Sequence, residues 1–186
     1  MKLFGWIKER KSESDRERRR WRQAWGEAMA AEDASRLATL RSALDGLPLQ
    51  KGDDIEVELE MLDALEQLGT LRHTTAAGLL PIVETHHRVV AGELCHFTAP
   101  VTLPGDPSQA SGRLLFTAAR AIFVGGGRPQ PIAWHSVRDV IQTDRDLLLV
   151  RSENSGSHFR FNTYSDAVTA AFLARRLKVS RGARVL

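Results

Sequence analysis

Three groups of residues in this chain have the types and spacing for chemistry. The first is a histidine group in THHRVVAGELCH, residues 85–96. Read as two strands around an Ala91-Gly92 turn, it sets His87 opposite His96 on one face and Arg88 opposite Cys95 on the other. Two imidazoles across a strand pair are able to share zinc or copper, with Glu84 or His135 as a further ligand. The same two residues also read as a surface pair that hydrogen-bonds or answers to pH. The second group is Gly125-Gly126-Gly127, which has the composition of a phosphate-cradling loop. A phosphate loop needs a helix N-terminus behind it, and here Arg128, Pro129, Gln130 and Pro131 lead into another apolar run. The triplet therefore reads as an exposed hairpin turn in which glycine supplies positive φ. The third group is the basic N-terminal arm. Lys2, Phe4, Trp6 and Lys8, then Arg18, Arg19 and Arg20 with Trp21 and Trp25 nearby, are candidates for touching a membrane surface or a polyanion. Interleaved Glu9, Glu13, Asp15 and Glu17 form i,i+3 and i,i+4 pairs that consume much of that field, which favours a solvated helix face with both tryptophans buried.

Catalytic signatures are missing from the sequence. It has no G-x-S-x-G elbow, no H-E-x-x-H and no kinase-like set, and no cofactor motif, so the expected role is non-catalytic and cofactor-free. One cysteine, Cys95, precludes an internal disulfide and any multi-cysteine metal site within one chain, which points to a reducing compartment. The stretch MKLFGWIKER is too short for a signal-peptide core, and no run approaches the roughly 20 apolar residues of a membrane span. The expected location is the cytoplasm, with peripheral membrane contact as the variant.

The elements that would carry these residues fall into two regions. Charge divides the chain into +5 over residues 1–25, −8 over 26–70 and +6 over 71–186. Basic ends around an acidic middle are as compatible with segments that pack on each other or on an oligomeric partner as with nucleic acid. Residues from about 12 to 68 read as helices. Trp21, Trp25, Ala28 and Met29 share one stripe, and Leu37, Leu40 and Leu44 another, stopped by Gly46 and Pro48. A third helix is expected from Asp53, paired with Glu56 as in a capping box, through Ile55, Leu59, Leu62 and Leu65 to Gly69. Beyond Pro81 the period changes, and strands are predicted at 82–90, 93–102, 112–117, 119–125, 130–134, 137–143, 146–152 and 157–162. Cys95, Phe97, Ala99 and Val101 read as one core face. A last helix, opened by Thr163 and Asp166 and striped with Val168, Ala171, Phe172 and Val179, is built to cap a sheet.

Gly112, Leu114, Thr117, Arg120, Ile122 and Phe123, then Ile132, Trp134 and Val137, then Phe159, Phe161 and the alanine-rich helix from Asp166, resemble a pleckstrin-homology-like domain of the GRAM and bacterial branch, over about residues 82–179. The resemblance implies an α+β fold: a bent seven-stranded antiparallel sandwich or barrel, closed by a C-terminal helix and here preceded by a helical arm. It divides the chain into an arm (1–80), a β domain (81–180) and a tail (181–186). It also implies a binding role toward phosphoinositides, other lipid headgroups or peptides, with Arg88, Arg120, Arg128 and Trp134 as candidate ligand contacts. Arg120 has a competing structural use, holding a carboxylate or carbonyl across the hairpin. The turn RVVAGELC offers one cation, Arg88, where a phosphate clamp needs several. The expectation is thus an adaptor that binds a protein partner or itself, with lipid or nucleic-acid contact through the arm as the alternative and a metal-dependent enzyme after that.

Overall fold

The computed structural model describes residues 3–48, 54–76, 78–90, 92–106 and 110–182, with side chains between Glu13 and Val179. The chain divides into two compact units, Met1–Thr70 and Leu71–Leu186.

The first unit is helical. Helix α1 (Leu3–Ala30) buries the stripe Trp21, Trp25, Ala28 and Met29. After a turn, Asp33 accepts the Ser35 N–H at 3.1 Å and starts a short 3-10 turn that leads into α2 (Leu37–Asp45), which buries Leu40 and Leu44. Both indoles are buried with their N–H groups satisfied: Trp21 donates to the Leu40 carbonyl at 2.8 Å and Trp25 to that of Met61 at 2.6 Å. Helix α3 (Glu56–Thr75) differs from the expected element at both ends. Its opening acceptor is Asp54, whose carboxylate takes the Glu56 N–H at 2.8 Å, while Asp53 lies outside the described residues. It also runs through Gly69 instead of stopping there. A Cβ at Gly69 would stand 3.0 Å from the Ala34 Cβ, so this glycine permits a close approach rather than ending the helix. The buried stripe is Glu58, Met61, Leu62, Leu65 and Leu68, and Leu59 faces outward.

The second unit is a seven-stranded antiparallel sheet in the order β4-β3-β2-β1-β7-β6-β5, closed by a C-terminal helix. Its strands are β1 (Cys95–Thr102), β2 (Ser111–Thr117), β3 (Arg120–Gly125), β4 (Gln130–Ala133), β5 (Asp139–Thr143), β6 (Asp146–Ser152) and β7 (Ser155–Phe161). This is the α+β architecture that the resemblance implies. Inward residues of the strands form an aromatic core. Phe116 lies 5.0 Å from Phe97 and, edge to face, 5.0 Å from Trp134, and Phe97 meets Phe161 at 6.0 Å. Helix α4 (Tyr164–Gly182) opens with the Asp166 N–H on the Thr163 hydroxyl at 3.1 Å and buries Val168, Ala171, Phe172, Leu173 and Leu177. Val179, expected on that stripe, is exposed.

The expected strand over 82–90 does not form. The stretch is irregular up to a 3-10 turn at Arg88–Val90, and one backbone bond, Val83 N–H to the Cys95 carbonyl at 2.8 Å, ties it to the sheet. The pairing of His87 with His96 is therefore absent. A second correction concerns Cys95. A register shift between Cys95 and Phe97 turns Cys95 to the outer face, where it packs with Val90, Leu115 and Ile122 instead of joining Phe97, Ala99 and Val101 inside.

Candidate functional site

The loop after β1, the β3–β4 strands and the β6–β7 hairpin converge on a cavity of about 490 Å³. Its apolar floor is Phe123, Ile132 and Phe159, with the two phenyl rings 6.2 Å apart. Two glycines set the floor. Gly112 and Gly125 are cross-strand partners, and a Cβ on Gly125 would sit 2.7 Å from the Phe123 ring. On Gly112 a Cβ would meet that ring at 2.8 Å and press on the Val124 carbonyl. The ring occupies the space the two missing side chains leave. Neither glycine, nor Gly126 or Gly127, has positive φ, which corrects the expected reason for the triplet. Gly126 to Pro129 form an exposed connection from β3 to β4 with no helix behind it.

The polar wall is mixed in sign: Asp106, Gln130, Arg151, Ser157 and His158. Arg151 has no acidic partner among the described residues and is exposed. His158 is held from the outer side, its Nε2 3.3 Å from Asp146, while Arg160 grips the same carboxylate through Nε at 2.9 Å and Nη2 at 2.8 Å. The Arg160 hydrogen bonds, aided by the charges of Arg160 and His158 and opposed by partial burial, hold the Asp146 carboxyl below the usual carboxylate range. An ionised Asp146 orients the His158 imidazole on the outer side of β7.

The candidates named from sequence are dispersed. Trp134 is fully buried, its indole donating to the Thr117 carbonyl at 2.8 Å, so it is a core residue and not a ligand contact. Arg120 is spent on Glu93 at 2.5 Å, a carboxylate ahead of β1 rather than one across the β2–β3 hairpin. Arg128 lies in the exposed β3–β4 connection, and Arg88 in the 3-10 turn. His96 is buried with Nδ1 2.8 Å from the Pro81 carbonyl, whereas His87 is half-buried beside Glu84, Thr85 and His86. Among the described residues no group of three or more His, Cys, Asp or Glu is arranged to hold a metal ion. On the arm, Arg18 and Arg22 face the fully buried Glu58 at 3.8 and 2.6 Å, and Arg20 pairs with Glu17 at 2.7 Å, leaving Arg19 exposed. Lys2 lies outside the described residues, as do the side chains of Phe4, Trp6 and Lys8. No helix among the described residues is long and apolar enough to cross a membrane.

Sequence reasoning missed Asp106, Arg151, Ser157 and His158. They come from the loop after β1 and from the facing ends of β6 and β7, far apart in sequence, and the signal available was compositional: the Pro/Gly/Ser-rich loop 102–112 and the Ser/Gly-rich RSENSGSH of the β6–β7 hairpin.

No protein-family model matches the chain. No curated protein matches it either. Solved structures with a similar course of chain include the C-terminal domain of an unknown protein from Leishmania infantum (13% identity, TM-score 0.41), covering 59% of this chain and 95% of that one. Inner Membrane Complex Sub-compartment Protein 1 from Toxoplasma gondii matches over 54% of this chain and 98% of its own, at 13% identity and TM-score 0.39. The FERM and C-terminal domain complex of Drosophila Merlin matches over 78% of this chain and 41% of its own, at 16% identity and TM-score 0.42.

Proposed function

We propose that the second unit is a non-catalytic binding module, pleckstrin-homology-like and GRAM-like in its β2–β4 pattern, whose ligand is a protein segment held in the mouth cavity. The observation that carries this reading is the Arg151 guanidinium, which has no acidic partner among the described residues and lines the same cavity as the floor of Phe123, Ile132 and Phe159. A segment that lays an apolar side chain on those rings and a carboxylate on Arg151 satisfies both. A cavity of about 490 Å³ is of the size that binds small ligands or single side chains. One guanidinium without an acidic partner among the described residues, in a cavity also lined by Asp106, suits a singly charged group better than a cluster of phosphates. Burial of the Cys95 thiol in an apolar cluster pushes its pKa up, the setting of a structural cysteine rather than a reactive one. The ion pairs that engage Arg18 and Arg20 make the arm a weaker polyanion site than its sequence.

The test is selection of a random-peptide library on the full chain, followed by titration of single peptides against wild type and Arg151→Ala. A set of peptides carrying an apolar residue and an acidic group, weakened at least about tenfold by Arg151→Ala, is the expected result. Peptides that all bind Arg151→Ala as tightly as wild type, or vesicles with phosphorylated inositol lipids that shift the cavity amides when no peptide does, overturn it.

A further inference from the structure

The floor of the mouth cavity owes its height to two missing side chains. Gly112 and Gly125 are partners across β2 and β3, one inward row along from the pair Leu114 and Phe123. The far edge of the Phe123 ring leans over both glycines. A Cβ on Gly125 would stand 2.7 Å from the ring's Cε1 and 2.8 Å from its Cζ, and one on Gly112 would stand 2.8 Å from Cε2 and from Cζ. Real Cβ atoms essentially never come within 3.0 Å of a neighbour, so a side chain at either position lifts the ring away from the strands and toward the cavity it lines. Neither glycine has positive φ, so the backbone supplies no other reason for the missing side chains.

The floor that this ring completes is closed and narrow. Phe123 and Phe159 lie 6.2 Å apart centre to centre, in the range of rings in direct contact, so no third ring fits between them. Phe123, Ile132 and Phe159 are 4%, 6% and 1% exposed, which leaves a small apolar target at the bottom of the cavity. An aromatic side chain has about 150–250 Å² to bury, and such a floor covers only a minor part of it. A branched aliphatic side chain has less surface to cover and is matched by the target.

We propose that Phe123 is the size gauge of the mouth cavity, seated on Gly112 and Gly125 at a height that admits valine, leucine or isoleucine side chains and turns away phenylalanine and tryptophan. It rests on the proposed function of the cavity, an apolar side chain seated on the floor with a carboxylate at Arg151. The gauge moves in both directions. A shorter side chain at position 123 deepens the floor toward the glycines, and a methyl group at position 125 raises the ring and makes the cavity shallower. One methylene of misfit in an apolar pocket is worth roughly 10–200-fold in discrimination, so both changes are large enough to read.

The experiment titrates the full chain with the N-acetyl derivatives of valine, leucine, phenylalanine and tryptophan, each an apolar side chain beside a carboxylate, and follows the backbone amides of Ile132 and Phe159 by NMR. Wild type is compared with Phe123→Leu, Gly125→Ala and Arg151→Ala, each checked by thermal unfolding, and either floor variant suffices if the other does not fold. Expected is a wild-type preference for the leucine over the tryptophan derivative of at least about fivefold, which Phe123→Leu abolishes or inverts. Gly125→Ala should weaken the leucine derivative at least about tenfold and the valine derivative less. The gauge is overturned, and the cavity's proposed function kept, if the floor variants leave the ratios among the four acids as in wild type while Arg151→Ala weakens them all. A wild-type preference for the tryptophan derivative overturns it as well. Size ratios that shift as expected in a protein series where Arg151→Ala binds like wild type keep the gauge and remove the carboxylate contact, and acids that move neither amide in any of the proteins overturn both.

Discussion

On the β1–β3 half of the sheet the outward side chains Leu115 and Ile122 are buried, whereas on the β5–β7 half the outward Ile141 remains 44% exposed beside Leu148. Both halves are antiparallel and both bury their inward faces in the same aromatic core. The difference is the segment ahead of β1, which lays Val89 and Val90 over the first half, where they join Cys95, Leu115 and Ile122 in a second small core. Nothing equivalent covers the second half among the described residues. There the chain spends outward positions on the ion triad of Asp146, His158 and Arg160. A face covered by its own chain is closed to solvent, and an open face needs polar groups to stay solvated.

The largest test of this contrast is truncation of an outward residue on each half. Leu115→Ala should cost about 2–5 kcal/mol, since it opens a cavity between the sheet and its cover. Ile141→Ala, at an exposed position opposite Leu148, should cost less than about 1 kcal/mol. Denaturant unfolding of both variants at unchanged m-value measures the gap. Equal losses would mean that the cover contributes nothing. Next in size is Val90→Ala, which removes two buried methyl groups worth roughly 1–2 kcal/mol. Its effect should be local. The Val83 amide, bonded to the Cys95 carbonyl, should exchange faster while amides of β6 keep their protection, as expected if the cover opens as its own unit.

How much of this was legible in the sequence follows from the range of each interaction. The α1 stripe was readable because Trp21 and Trp25 stand one helical turn apart, and seven strands were readable because their alternation is local. The stretch 82–90 misled because period-two burial arises wherever extended chain lies flat, with or without a hydrogen-bonded neighbour, and the neighbour is not a local property. The bulge that turns Cys95 outward was equally invisible. For the site, the motif Gly112 to Phe123 was noticed and its purpose was not. That two glycines 13 positions apart make room for one phenyl ring depends on the β2–β3 register. Arg151 carries no local mark that separates it from any other exposed arginine.

The tie at the far end of the cover is smaller still. Arg120 and Glu93 are partly exposed and 2.5 Å apart, so a double-mutant cycle of Arg120→Gln and Glu93→Gln should return a coupling of at most about 1 kcal/mol. A coupling of zero would assign the cover's attachment to its apolar contacts alone.

The smallest effect belongs to the open half and is best seen as a pH dependence. Arg160, and secondarily His158, hold Asp146 below the ordinary carboxylate range, so the folded chain binds this proton less tightly than the unfolded chain does. A depressed folded pKa contributes stability that is complete above the unfolded pKa, near about 4, and is lost as pH falls through the lower, folded value. Asp146→Asn should therefore lower the melting temperature slightly at pH 7, and the two melting curves should converge as pH is taken from about 5 toward 2. Because the group lies on the solvated face, the shift should be well below that of Val90→Ala. Curves that stay parallel over that interval would show that the triad adds no stability to the fold, leaving orientation of the His158 imidazole as its remaining role.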